Sequence, residues 1–347
     1  MIQKSAFLHG SQKSHTFAPS KELVIEKTKE MKKTVIIIVC LLLTISGVAQ
    51  TTQPDTTQAP HPDQQQMEKR RLTLKAEMTA RAGGDYHLTQ DGQTIESGNS
   101  SAYLRAGVGA SYPVLLGRAG NLSASLGYSH THQRFDADEM TTDYGMGEAS
   151  HHNFGVGLSG MGRLRLWGKT LMLTGVANAE WSQYGFERWM AMGMATYMLR
   201  ETRDTQFGVG FIYLVNTFLD IPVFPTFMYR HTFNRQWSVN IMIPGANVCY
   251  APTPNDVFTL GGVISADHYF IRPKSTGLPN RVRFNRGLVN VGPTYEHRFS
   301  QGFVLKAEVG ASIPFSNHIS ESGSSTNLAD VSEKVMPYVT VGISKSF

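Results

Sequence analysis

The sequence predicts an all-β protein, a transmembrane antiparallel up-and-down β-barrel of about fourteen strands, with twelve as the competing count. Three observations predict it. From Arg71 to the end, apolar and polar residues alternate with period two in long runs, so each run carries one oily and one polar face. No apolar run of about 20 residues follows the N-terminal region, which excludes a helical membrane protein. Connections alternate between long polar loops and short turns, as a barrel that crosses a bilayer back and forth requires.

The N-terminal region is organised differently. Residues 1–30 read as an upstream extension ahead of Met31-Lys32-Lys33. Val35 to Leu43 is a short apolar core, and small residues lead to Ala49. A basic start, a brief oily stretch and a small-residue exit mark residues 31–49 as a cleaved secretory signal peptide. Cys40 lies inside the oily core behind Ile38 and Val39, so a lipid-anchor reading fails for want of small residues before it. Residues 50–70, rich in Thr, Gln, Pro and Asp, read as a disordered periplasmic linker. Residues 71–347 form one domain.

Processing removes most of the net charge. The full chain has 32 Lys and Arg against 27 Asp and Glu. Residues 1–49 take away seven of the first and three of the second, leaving 25 and 24. A mature chain near +1 gives no footing for nucleic-acid binding. Only Cys249 then remains, so no internal disulfide can form, and stability must come from a closed hydrogen-bonded wall.

The strands follow in order. Leu72, Leu74, Ala76, Met78 and Ala80 alternate with Thr73, Lys75, Glu77, Thr79 and Arg81; Ala102 to Tyr112 repeats the pattern around Arg105. Leu122 to Tyr128, Phe154 to Leu166, and residues 171–184, 188–199, 205–217 and 223–233 continue it. Trp237 to Tyr250 must go out and return, because the segments flanking it belong to the same side of the membrane; Pro244-Gly245 is the turn. Most of these strands are long enough to cross, which takes about 9–11 residues, whereas soluble strands average about five or six. Long loops are expected at 83–100, 136–150, 272–284 and 316–334. Aromatics near strand ends, among them Tyr128, Phe135, Trp167, Trp181, Trp189, Trp237, Phe299 and Phe347, suit interfacial girdles.

The last strand carries the family resemblance. In Met336 to Phe347, Val339, Val341, Ile343 and Phe347 share one face, and the chain ends on an aromatic. Gly342, Ile343 and Phe347 resemble the C-terminal signal of Gram-negative outer-membrane β-barrels. That resemblance implies outer-membrane placement among its lipids, recognition by the barrel-insertion machinery, and closure of the barrel by this strand. Ile221-Pro222-Val223-Phe224-Pro225, Tyr229, Trp237, Ile243-Pro244 and Val248-x-Tyr250 further resemble a group of outer-membrane barrels of uncharacterised function. The resemblance hands over no catalytic residues and no cofactor.

The polar faces supply candidates for the lumen lining: Lys75, Glu77, Arg81, Arg105, Arg163, Arg165, Glu180, Glu296, Arg298, Lys306 and Glu308. Both signs occur, whereas a strongly ion-selective pore shows a ring of one sign. His130, His132, His151 and His152 flank one loop, yet no diagnostic metal-ligand spacing links them, so no metal is assigned. Asp267 and His268 are neighbours on a strand and point to opposite faces, against a hydrolase triad; no enzyme is expected. The Gly-rich pairs at Gly155, Gly160 and Gly208 lack the Lys-Ser/Thr of a phosphate loop. The expectation is a passive pore for small solutes or a structural barrel, with a loop-based surface receptor or adhesin as the alternative. A blocked lumen favours the receptor or structural reading, and a continuous water path favours transport.

Overall fold

The computed structural model describes residues 71–347 apart from 118–119, 137–143, 145, 147–149, 216–222, 243–244, 276 and 323–326. The extension, signal peptide and linker lie outside the described residues, as do Ile221-Pro222 and Ile243-Pro244. The chain from β1 (Thr73–Arg81) runs through β2 (Gly84–Gln90), β3 (Gln93–Ser100), β4 (Tyr103–Gly117) and β5 (Gly120–His132). Next come β6 (Ser150–Leu166), β7 (Lys169–Ser182), β8 (Gly185–Glu201), β9 (Thr205–Val215) and β10 (Val223–Thr232). The rest comprises β11 (Trp237–Met242), β12 (Gly245–Tyr250), β13 (Asp256–Ile271), β14 (Val282–Arg298), β15 (Phe303–Glu321), β16 (Asn327–Glu333) and β17 (Met336–Ser346).

All pairings are antiparallel, and β17 closes the ring on β1 with Thr73 opposite Ser346 and Arg81 opposite Tyr338. Three of the seventeen segments only continue a neighbour across a two-residue break. β2 extends β1, β3 leads into β4, and β16 leads into β17. The barrel therefore has fourteen staves. Closure leaves the backbone of the wall paired within the ring, the condition for strands to cross lipid. No helix among the described residues is long and apolar enough to cross a membrane.

Alternation sets the wall's two surfaces. Leu74, Met78, Val108, Leu126, Leu158, Phe211, Leu260, Val309 and Val341 are exposed on the outside. Trp167, Phe233, Trp237, Phe299 and Phe347 are exposed at the end where the ring's two termini meet, periplasmic in the expected orientation. Tyr128, Phe154, Phe186 and Trp189 are exposed towards the other end. Phe135 departs from the girdle expected for it. It is buried, edge-on to Tyr86 with ring centroids 5.1 Å apart.

The connections at the end away from the two termini differ from expectation at three places. Residues 83–100 form the β2–β3 hairpin, turned by Asp91 (φ 50) and Gly92 (φ 80). Two successive positive φ values match the twist of a two-residue hairpin, which favours Asp-Gly. Within the span expected as a loop at 316–334, β15 runs on to Glu321 and β16 occupies Asn327–Glu333, and strand β14 already begins at Val282, inside the span expected as a loop at 272–284. These segments pair with one another, β16 bridging β15 and β2. A polar, turn-rich stretch reads as loop from sequence, but here the staves simply run on.

Tyr86 and Leu88 of β2, Phe135, Tyr144 and Met146 before β6, Tyr269 and Ile271 of β13, Phe284 of β14, Ile319 of β15 and Val331 of β16 share an apolar core. It is a cap with packing of its own, above the wall. Beside it, Lys334 donates to the exposed Asp85 and holds that carboxyl below its ordinary range.

Candidate functional site: the lumen and the rolled strands

The site begins where β13 loses a neighbour. β12 is only six residues long and its pairing with β13 ends at Gly245 opposite Val263. From Ile264 upward β13 has β14 on one side and, among the described residues, no strand paired on the other. A free edge that stayed in the wall would leave backbone groups unpaired in lipid. The strand turns inward instead. Ile264, Ser265, Asp267 and Tyr269 to Ile271 are buried, as is every residue from Val282 to Leu288 on β14.

The register shows that this is a departure from the wall. Phe258 and Leu260 are exposed on the outer face of β13, and no bulge interrupts the strand between them and His268. His268 therefore continues the outer face. Yet its Nε2 lies 3.0 Å from Glu180 of β7 and 3.1 Å from an Arg188 Nη of β8, both on the inner side of the opposite wall. An outer face can meet an inner wall only if the sheet has rolled into the lumen. A bulge assists the bend, since β15 has the extra residue Phe315 opposite Gly287–Leu288. Gly287 lets the Phe315 ring lie close: a Cβ there would sit 2.7 Å from the ring and push it aside.

The rolled sheet is a septum with two unlike faces. Asp267 looks one way, accepting from Arg81 of β1 and, at 3.4 Å, from Arg105 of β4. On that side Arg286 is fully buried, with Nη2 at 2.6 Å and Nε at 2.8 Å from the Glu333 carboxylate and Nη2 donating to Gln133 at 3.0 Å. The Tyr103 ring lies beneath both Arg81 and Arg286, and Tyr269 stacks on His151 of β6 with centroids 4.3 Å apart. This is also the side of the apolar cap. The other face meets β7 and β8 through polar groups: Arg272 donates to Glu187 at 3.2 Å, Arg281 donates to the Phe186 carbonyl, and His268 meets Glu180 and Arg188, which are themselves joined within the wall by an Arg188 Nε donation at 2.6 Å. Asn153 of β6 donates to the His268 carbonyl.

Three of the residues assigned to the lumen from sequence, Arg81, Arg105 and Glu180, join this septum. Others pair lower down. Lys75 lies 2.7 Å from Glu77, Arg298 2.9 Å from Glu296, and Lys306 3.5 Å from Glu308, each pair on the face opposite the exposed apolar residues of its strand. Glu308 also accepts from the Tyr338 hydroxyl. Arg163 and Arg165 are exposed near the β6–β7 turn, on the face opposite Leu164 and Leu166. Gly342 pairs with Glu77 and Ile343 with Ala76 in the closing ladder, while the Phe347 amide donates to the Leu72 carbonyl.

Glu187, Arg188, Arg272, Arg283, Arg286 and Glu333 were not read from sequence, because they fall on strands or loops whose burial depends on the roll. Among the histidines, His130 lies against His152 with the rings tilted by 35° and centroids 4.8 Å apart on the outer surface, and His151 points inward. Among the described residues no group of three His, Cys, Asp or Glu is placed to hold a metal ion.

No curated protein sequence matches the chain. Among solved structures, it is similar to the COG4313 outer membrane channel from Pseudomonas putida F1, with a TM-score of 0.42, 13% identity, and 80% of this chain and 96% of that chain covered. It is also similar to the toluene transporter TodX of Pseudomonas putida (TM-score 0.40, 12% identity, 87% and 92% covered). A FadL homologue of Pseudomonas aeruginosa gives a TM-score of 0.40 at 8% identity, with 80% and 90% covered. Residues 119–345, most of the barrel, match a family described as Domain of unknown function (DUF6268). The chain is a closed antiparallel β-barrel of fourteen staves and belongs to that family.

Proposed function

We propose that the protein is an outer-membrane channel for small solutes, closed at its extracellular mouth in this conformation by the rolled β13–β14 hairpin. The observation that carries this reading is the contrast between the septum's two seams. Towards the cap, Tyr269, Ile271 and Phe284 are locked into an apolar core. Towards β7 and β8, polar groups cross the contact, His268 to Glu180 and Arg188, and Arg272 to Glu187, with the Phe270 ring buried on the same face. Water can replace a polar seam bond for bond, whereas separating an apolar core exposes oily surface. Opening therefore follows the β7–β8 seam, with hairpin and cap moving together.

A filled mouth is also the arrangement expected of a receptor or structural barrel, and the cap's own core gives that second reading a specific footing. Single-channel recording of refolded protein in planar bilayers separates the two. The channel reading expects wild type to be mostly closed with brief openings, and Glu180→Gln/Glu187→Gln to raise the open fraction several-fold. Silence from both proteins would turn the assignment to a receptor or structural role.

A further inference from the structure

We propose that the lumen binds a small amphipathic carboxylate, its head held by Arg283 and Arg188 and its apolar body laid against a methionine-bearing wall of β8–β10. The proposal rests on the channel reading above and names the class of solute that the site takes.

The head site follows from an imbalance of charge. Arg283 sits opposite Phe270, and His268 opposite Asn285, so Arg283 shares the septum face that looks towards β7 and β8. Its side chain lies within electrostatic reach of Arg188 and Glu180. Arg283 is 3% exposed, yet among the described residues it forms no ion pair and donates no hydrogen bond, and its Nε is buried without a partner. Arg188 uses Nε on Glu180 and Nη2 on His268, and its Nη1 is likewise buried and unpartnered. Two guanidinium groups thus share one carboxylate, Glu180, on this face of the septum. The other acid of this seam, Glu187, is held by Arg272 at 3.2 Å, and Asp330 stands across from His318. A buried guanidinium without an anion is strongly disfavoured, and a carboxylate suits the planar fork of Arg.

The body site begins one inward position from Arg188. Met190, Met192 and Met194 follow on the same face of β8, about 7 Å of strand per two positions, while Trp189 between them is exposed outside. The register sets Met192 against Leu214 and Met194 against Ile212 of β9, and Ile212 against Phe224 of β10. These residues form one apolar cluster on the inside of the barrel. A water-filled pore gains nothing from such a face. Methionine thioethers adapt to varied apolar shapes, which suits a wall that accepts a family of compounds. The cationic fork beside it selects those that end in a carboxylate.

Calorimetric titration of the refolded barrel in a non-ionic detergent tests this, with benzoate and octanoate as probes and benzyl alcohol and octanol as uncharged counterparts. The acids should bind about tenfold or more tightly than the alcohols, as expected for a charge-assisted contact. Arg283→Gln should remove that preference, Arg283→Lys should restore part of it, and Met192→Asp should weaken octanoate. Heat-modifiable gel mobility shows whether each variant is folded. Equal binding of acids and alcohols, no effect of Arg283→Gln in folded protein, or no binding at all would overturn the site; the apolar wall would then serve the chain's own packing. Channel openings without carboxylate binding would sink the site and leave the channel. Carboxylate binding without openings would do the reverse.

Discussion

The lower and upper parts of β13 are one strand in two environments. From Asp256 to Val263 it stands in the wall between β12 and β14, with Phe258 and Leu260 exposed outside. From Ile264 to Ile271 it has left the wall, and the same face presents His268 to Glu180 across the lumen. Alternation has one meaning below and another above. In the wall, period two separates lipid from lumen. In the roll, both faces are inside, and polarity records which partner each face meets.

The difference also separates what stabilises each half. The lower wall stands on inter-strand hydrogen bonds with lipid outside and solvated pairs such as Lys75–Glu77 within. The upper part holds a dry core and buried ion pairs, as a soluble domain would. The sharpest way to probe that contrast is Glu333→Gln. It removes the counter-charge of the fully buried Arg286 and turns one of its two acceptor oxygens into an amide nitrogen, and breaking a buried pair costs about 3–5 kcal/mol. Urea unfolding in vesicles should show the loss, and a change near zero would mean the cap is wet. Phe135→Ala removes a buried ring from the same core at a cost of about 3–5 kcal/mol. The cap should become protease-sensitive while the barrel band on a gel persists; joint collapse would show that the halves are one unit.

In the lower half, Leu260→Arg places a charge against lipid and should cost about 2–4 kcal/mol. Thr259→Arg, one residue away and facing the lumen, should fold almost normally. Equal losses would contradict the assigned faces. The smallest effect belongs to Lys334→Ala, since the pair with Asp85 is exposed; the unfolding midpoint should not move.

Legibility follows the same boundary. The staves, the closing strand and the paired charges Lys75–Glu77, Glu296–Arg298 and Lys306–Glu308 sit where lipid or lumen water imposes period two, and the sequence shows them. The β2–β3 hairpin was readable too, because Asp91-Gly92 is a two-residue turn signal between Leu88 and Ile95. It was masked by the surrounding Gly, Ser, Asn and Gln, which read as loop. Arg283, Arg286 and Glu333 were not readable. Their burial depends on a long β13 beside a six-residue β12, a relation between staves that no local pattern encodes. Phe135 misled for the same reason, since an aromatic at a strand end serves equally in a girdle or in a cap above it.

The central claim is that β13 leaves the wall, and depth-resolved lipid quenching tests it most directly. In a Cys249→Ser background, a fluorophore is attached to Leu260→Cys or to His268→Cys, which share a face of one strand, and the barrel is refolded in vesicles of brominated lipid. The account predicts strong quenching at position 260 and little at position 268, where the probe is shielded inside the barrel. Comparable quenching at both would mean that the strand stays in the wall along its whole length, and that the septum, its two seams and the gate do not exist.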